Sequence, residues 1–431
     1  MRIETICTGD ELLTGLTSDT NSRFFQEALL NRTGLLVRRG VVVGDDRADI
    51  IEALDQAVQR ADVVLVSGGL GPTTDDLTAE CAAAAAGVPL VQNGEAMRHI
   101  EERFKARGIA LSDNNRRQAL VPQGAEVVLN AEGSAPMFIQ TRTRLPLPAG
   151  ERVGERADTC VLFYVPGVPR EYRYLVGEHV VPRVAALKKG TETRKFALLK
   201  TVGLPESHLD ERVRPLAAKY PQVIFGFRTH PPENHLKLLA SGATETEANT
   251  VLEKVVAEAR VLLGATCFAR DAETMPGVVL AKLIEKKHFL ALAESCTGGM
   301  MAEQLTNESG ASKAFYGCAC TYLDEAKTKW AHVPEGLLAQ FGAVSSEAAE
   351  SMAKGVREST GAHWAVSTTG WAGPTGGDAE NPVGTVYIGI AGPDGVKVEK
   401  HRFHGDRERV RSFASAIAFD LLRKRLEGIN S

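Results

Sequence analysis

The sequence predicts an α/β protein built from three modules. Three observations carry this. Apolar strand-like runs alternate with amphipathic helical stretches up to about residue 175, and again from 276 to 431. That rhythm belongs to parallel sheets covered on both faces. Between them, residues 190–265 switch to a β-α-β-β-α order, which suits a small α+β, KH-like fold. Finally, 431 residues are too many for one ordinary core.

The elements follow in order. RIETICTG reads as a strand, NSRFFQEALLNR as a helix, and VRRGVVVG as a second strand. DDRADIIEALDQAVQR is a helix with an acidic first turn, favourable at the positive end of the helix dipole. ADVVLVSGG is a third, buried strand. The stretch QTRTRLPLPAGERVGERADT, between MFI and CVLFYVPG, is polar and rich in Pro and Gly, and reads as a long exposed loop or hairpin. In the middle module, KFALLKTVG is a strand and PESHLDERVRPLAAKY a helix opened by Pro205. QVIFGFRTH and HLKLLASG are strands flanking Pro231-Pro232, and TETEANTVLEKVVAEARVLLG is a long amphipathic helix. In the last module, VVLAKLIEKK, MMAEQLTNES, SSEAAESMAKGVREST and RERVRSFASAIAFDLLRKRL are helices. HFLALAE, KAFYGCACTYL, HWAVSTTG and GTVYIGIAG are strands.

Composition excludes several classes. Hydrophobic residues are 44% and charged residues 24%, which argues against long disorder. The net charge of −4 comes without a Lys/Arg-rich run, so neither direct nucleic-acid binding nor a polybasic membrane surface is expected. No apolar run is long enough for a transmembrane helix, and the acidic N-terminus does not read as a signal peptide. The seven cysteines lack CxxC pairs and suit neither a disulfide framework nor a structural zinc site. The chain reads as cytoplasmic.

The chemistry concentrates in two places. In AESCTGG, Ser295 follows an apolar strand and precedes a helix, near backbone amides able to stabilise an anion. Gly298 and Gly299 let a ligand approach the backbone. The plain alternative is that Ser295 or Thr297 caps the helix. WAGPTGG followed by NPVG, with Gly373 and Gly376, offers amides to a phosphate or carboxamide, or is an ordinary turn cluster. Arg407 either pairs with a phosphate or sits on a solvated face with neighbouring acids. Lys327 follows DEA, where an exposed helix start is the simple reading. In the first module, loops at 8–15, 67–78 and 164–172 follow strands, where ligands bind in open α/β sheets. Gly68, Gly69 and Gly71 can bring amides to a phosphate. Paired Asp75 and Asp76 can hold a divalent metal, with one of them capping the next helix.

AESCTGG, GAS at 310–312, TY with EAK at 321–327, GAVSS at 342–346, TGWAGPTGG, NPVGTV and GDR at 405–407 occur in one order. Together they resemble the C-terminal domain of the CinA family, whose stand-alone relatives are nicotinamide-nucleotide amidases. The resemblance implies a Ser/Lys hydrolase, with Ser295 as nucleophile, Lys327 as its base and Tyr322 in support. Thr297, Gly298, Gly299, Thr369, Gly373, Gly376 and Arg407 would lie in the substrate site, with no cofactor. Trp371 stands where relatives have a small aliphatic residue. Residues 1–175 resemble the molybdopterin-binding-like N-terminal domain of CinA, which implies a divalent-metal-dependent ADP-ribose pyrophosphatase. There Gly68, Gly69 and Gly71 would bind substrate, and Asp10, Glu11, Asp75 and Asp76 would do metal or phosphate work. Met137 replaces a common Gly in a nearby loop. The implied partners are small pyridine nucleotides, and the implied assembly is a homodimer. The alternatives are a molybdopterin-handling protein, or a non-catalytic nucleotide-binding scaffold linked to competence or DNA damage.

Overall fold

The computed structural model describes residues 1–144, 158–188 and 193–429. The chain divides into two compact units: residues 1–196 with 241–248, and residues 197–240 with 249–431.

The first unit holds a six-stranded sheet. Its strands are β1 (Ile3–Thr8), β2 (Val37–Val43), β3 (Val63–Ser67), β4 (Glu126–Val128), β5 (Met137–Thr143) and β6 (Thr159–Val165), in the order β2-β1-β3-β6-β5-β4. β1 and β3 are buried at every position, as central strands covered on both faces are. β2, β1, β3 and β6 run parallel, as the sequence predicts, while β5 pairs antiparallel with both β6 and β4. β5 and β6 pair as the two stems of the expected 140–159 hairpin, and residues 145–157 lie outside the described residues.

Helix α1 (Thr20–Thr33) packs Phe25 and Leu29 on one face of the sheet, and α2 (Arg47–Arg60) packs Ile50, Leu54 and Val58 on the other. Asp19 caps α1 by accepting the Ser22 amide, and Asp46 caps α2 by accepting those of Ala48 and Asp49. Met137 opens β5 and is fully buried in the core, so the expectation that it alters a loop is corrected.

The second unit contains two sheets. In the middle module, β7 (Thr193–Val202), β8 (Val223–His230), β9 (Glu233–Gly242) and β10 (Cys267–Arg270) are ordered β8-β9-β7-β10. Helices α3 (Glu206–Lys219) and α4 (Glu245–Leu263) match the amphipathic stretches, with Pro205 as the residue before α3. The strand β10 is an addition: Cys267–Arg270 has little periodicity in four residues, yet pairs antiparallel with β7.

The C-terminal sheet has β11 (Leu290–Glu294), β12 (Phe315–Cys320), β13 (Trp364–Gly370), β14 (Thr385–Gly392) and β15 (Gly395–Arg402), ordered β12-β11-β13-β14-β15. β11, β12 and β13 are parallel, and β14 and β15 form an antiparallel hairpin. Helices α5 (Met275–Lys286), α6 (Met300–Thr306), α7 (Asp324–Ala331), α8 (Glu335–Phe341), α9 (Ser346–Thr360) and α10 (Arg407–Leu426) complete the module. The helices α7 and α8 and the strand β15 extend the elements read from sequence. No helix among the described residues is long and apolar enough to cross a membrane.

Candidate functional site

The C-terminal sheet explains how distant sequence segments meet. β14 reverses direction after β13 and β15 reverses it again, so β11, β12, β13 and β15 all end at one edge. β11 lies between β12 and β13, which makes this edge a switch point where the following loops diverge. Ser295 follows β11, Tyr322 and Lys327 follow β12, Gly373 and Gly376 follow β13, and Arg407 follows β15. Backbone bonds tie the strand ends: the Ser295 amide donates to the Thr368 carbonyl at 2.9 Å, and the Thr321 amide to the Glu294 carbonyl at 2.8 Å.

Neither Ser295 nor Thr297 caps α6, which corrects one sequence alternative. The cap is Glu294, the last residue of β11. Its fully buried carboxylate accepts the amides of Gly299 (3.0 Å), Met301 (3.2 Å) and Ala302 (2.9 Å). Gly298 and Gly299 adopt φ of 59° and 90°, the left-handed backbone that lets the chain curl round this carboxylate. The Thr297 hydroxyl is also committed inward, sharing a 2.7 Å bond with that of Thr368. Arg411 clamps the Thr297 carbonyl through Nε (3.2 Å) and Nη2 (2.7 Å). Ser295 is thus left in a turn fixed from three directions, with its own hydroxyl drawn into no capping bond.

The neighbouring thiol is excluded as a nucleophile. Burial, then the Glu294 charge against opposing amide bonds, pushes Cys296 up to about 12, so it stays a neutral thiol at physiological pH. Lys327 acts electrostatically on this thiol, so its side chain lies in the neighbourhood of the Ser295 turn. Lys327 is 2% exposed, not the surface lysine its local sequence suggests. The reason is register: Lys327 and Ala331 are the buried pair of α7, four residues apart on the face turned to the core. Its Nζ reaches Asp324 Oδ1 at 3.3 Å, a carboxylate that is itself 65% exposed.

Arg407 joins two loops. Its Nη1 donates to the Gly373 carbonyl at 2.9 Å and its Nη2 to the Tyr322 hydroxyl at 2.6 Å. Thr369 is fully buried and spends its hydroxyl on the Ala343 carbonyl at 2.6 Å, tying β13 to the chain before α9. The Trp371 ring lies against Gly376, so it packs on its own loop.

The N-terminal sheet forms a crevice at its own switch point. β1 stands between β2 and β3, and the loops after β1, β3 and β6 border a cavity of about 610 Å³. Gly68, Gly69, Gly71, Glu11, Asp75 and Asp76 line it, as predicted from sequence, whereas Asp10 does not. The expected phosphate amides are mostly consumed. The Gly68 amide donates to the Val165 carbonyl at 3.1 Å, and that of Gly71 to Asp76 Oδ1 at 2.8 Å.

Neither Asp75 nor Asp76 caps the helix Thr78–Ala86, contrary to expectation. Asp76 instead closes its own loop, accepting from the Thr73 amide (2.8 Å) and hydroxyl (2.5 Å). Asp10 Oδ1 accepts the Asp45 amide and Asp45 Oδ2 the Asp10 amide, each at 3.1 Å. Among the described residues, no three His, Cys, Asp or Glu side chains converge to hold a metal ion, so the four predicted carboxylates do not form a cation cage. The cavity's charged lining is Glu11, Asp19, Asp45, Asp75, Asp76 and Glu171, with no Lys, Arg or His among the described residues that border it. Burial, then the charges of Asp10, Glu11 and Asp75 against the Asp10 amide, raises the Asp45 carboxyl above the ordinary aspartate range.

The sequence reading did not single out Glu294, Arg411, Thr368 or Asp45. Arg411 was within reach, since it lies four residues after Arg407 and so shares its helix face. Glu294 gives no such signal, because it caps a helix from the end of the preceding strand, outside the usual cap position.

Fold and site define a modular α/β protein with a cavity at the switch point of its N-terminal sheet and a cluster of polar loops at that of its C-terminal sheet. Family models match the CinA C-terminal domain over residues 272–426, a probable molybdopterin binding domain over 4–186, and the KH domain of damage-inducible protein CinA over 197–269. A CinA-like protein of Myxococcus xanthus is 46% identical over 431 residues, with 99% of this chain and 98% of that protein covered. One of Geobacter metallireducens is 40% identical over 427 residues, with 99% of each covered. The crystal structure of a competence-damaged protein (CinA) superfamily protein from Klebsiella pneumoniae is 30% identical over 36% of this chain and 99% of its own, with a TM-score of 0.35. The chain belongs to the CinA family.

Proposed function

We propose that the C-terminal domain hydrolyses the carboxamide of nicotinamide mononucleotide, giving the acid and ammonia. The observation that carries this reading is the assembly at one sheet edge of Ser295, the buried Lys327, and Tyr322 held by Arg407. Ser295 Oγ attacks the amide carbon while the Lys327 amine takes its proton. The tetrahedral adduct collapses as the departing nitrogen gains that proton and leaves as ammonia. Water then cleaves the acyl ester and regenerates the hydroxyl. Thr297 and Thr369 hold strand ends in this reading, while Gly298, Gly299, Gly373 and Gly376 shape the surface under the substrate. The test is ammonia release by the purified full chain. Release undiminished in Ser295→Ala would sink the reading.

A second reading concerns the N-terminal domain, as an ADP-ribose pyrophosphatase. It is favoured by the 610 Å³ cavity at the sheet switch point, a size suited to a nucleotide-sized ligand. The residues present do not fit a resident divalent ion, so no step is assigned to one here. AMP formation from ADP-ribose, with and without added divalent metal, decides it. The same proposal places the chain in the cytoplasm as a homodimer that recycles pyridine nucleotides.

A further inference from the structure

We propose that Trp371 sets the ring specificity of the C-terminal site: its open indole face takes a planar carboxamide whose ring carries a positive charge, in preference to the same amide on an uncharged ring. This deepens the amidase reading, on which it rests for the identity of the attacked amide. Strand alternation sets the faces. On β13, the Ser367 and Thr369 hydroxyls reach the Ala349 and Ala343 carbonyls on the α9 side, whereas Thr368 turns to Thr297 on the opposite face. Trp371 continues this strand, donating its amide to the Thr385 carbonyl at 2.9 Å, so its side chain belongs to the face of Ser367 and Thr369. β11 alternates in the same way. Ala291 and Ala293 pack with Ala331 of α7 and Met352 of α9, while Glu294 turns to α6. Ser295 comes next, which puts it on the α7 and α9 face with the buried Lys327.

Register converts the shared face into a distance. Glu294 pairs with Thr368, so Ser295 stands level with Thr369, and Trp371 lies two residues beyond on the neighbouring strand. Strand rise and spacing then separate the Trp371 and Ser295 Cα atoms by roughly 8 Å. A ring whose carboxamide meets the Ser295 hydroxyl spans that gap and comes to the indole. One face of the indole is taken: Gly376 lies so close to the six-membered ring that a side chain there would run into it. The residue is still 36% exposed, and that surface is the open face. Trp364, by contrast, is buried, with the Arg425 guanidinium 5.2 Å from its ring centre. Among the described residues, no Lys or Arg stands over Trp371. Its loop is fixed, because Arg407 holds the Gly373 carbonyl. The acids around the site are spent elsewhere: Glu294 on three amides, Asp324 on Lys327, and Asp378 on the amides of Glu380 and Asn381. A cationic ring therefore finds its partner in a π-face, and indole is the strongest aromatic face for a cation. An uncharged ring gains only the apolar contact.

The experiment uses the full chain and two ligands, nicotinamide mononucleotide and its reduced 1,4-dihydro form. They share the carboxamide and the phosphate, and differ in carrying a pyridinium or a neutral ring. In the first arm, calorimetry on Ser295→Ala protein measures binding without turnover. The pyridinium form should bind roughly 3–10-fold tighter than the reduced form. Adding Trp371→Leu should shrink that preference to within about twofold, with Trp371→Phe in between. In the second arm, Trp371→Leu in the otherwise unchanged chain should raise KM for ammonia release from the pyridinium form by a similar factor, with kcat within about twofold. Equal losses of binding on both ligands would mean that Trp371 only braces its loop, and would overturn the proposal. A Trp371-dependent preference in a chain whose wild type releases no ammonia would uphold the indole face and remove the amidase reading. Ammonia release without any such preference would do the reverse.

Discussion

The two sheet switch points of this protein use the same topology and opposite chemistry. Both open where parallel strands part at a switch point, and both are bordered by glycine-rich turns. At the C-terminal site the basic groups are Lys327, Arg407 and Arg411, while the buried acid, Glu294, is consumed by three backbone amides. At the N-terminal cavity six carboxylates face the space, with no basic side chain among the described residues that border it. The difference teaches that a glycine-rich loop after a strand does not by itself define a phosphate site. What matters is where the loop's amides and the neighbouring charges are already spent. An anionic ligand meets ready partners at the C-terminal site and repulsion at the N-terminal cavity unless it brings its own cations.

The largest expected effect tests the C-terminal half of this comparison. Ser295→Ala should lower ammonia release by at least about 10³-fold, and adding Lys327→Met to it should cost little more, since the two act as a unit. ADP-ribose turnover in the same preparations should be unmoved. Next, chelation of divalent metal should leave ammonia release within about twofold of its starting rate. Ammonia release that followed the chelator would erase the contrast between the sites.

A smaller effect concerns the cap. Glu294→Gln removes the charge that three amides share, and a carboxamide cannot accept equally with both ends. A loss of about 2 kcal/mol in denaturant stability is expected, together with a fall in kcat as the Ser295 turn loosens. An unchanged unfolding midpoint would show that Glu294 is dispensable to the turn.

The smallest effect is at the acidic cavity. Because the Asp45 carboxyl is raised in the folded protein, the folded chain holds its proton to higher pH than the unfolded chain does. Stability is then lost as pH climbs from the ordinary aspartate value of 3.8 through the raised one. Asp45→Asn should therefore stabilise the unit at pH 7 by less than about 1 kcal/mol, discounted for partial solvent screening. The gain should vanish as pH falls below 3.8, as urea titrations at several pH values can follow.

Much of the fold was legible because periodicity reports burial directly. The mainly apolar runs of β3 and β11, and the mixed run of β1, became strands buried at every position. β10 escaped notice because four residues carry too little pattern, and β15 because GVKVEKHR alternates mildly on an edge strand. The members of the site were legible mainly as a resemblance, since no local rule connects Ser295 to Tyr322 or Arg407. The states of those members were not legible. Lys327 reads as exposed in DEAKTK, yet the register of α7 against the core buries it. Asp76 reads as a metal ligand or helix cap, yet it closes its own loop through Gly71 and Thr73. In each case the deciding fact is the rotation or turn that tertiary packing imposes, which one-dimensional spacing does not contain.

The Arg411 clamp on Thr297 joins residues 114 positions apart, and the Arg407 bond to Tyr322 spans 85. Synthesis runs from the N-terminus, so Ser295 is made well before the arginines that brace Thr297 and hold Tyr322. At about 5–20 residues per second, that gap amounts to roughly 6–23 s. During this interval a growing chain carries the serine without its clamp. The turn that carries Ser295 therefore gains its last brace only when the C-terminal helix has been made.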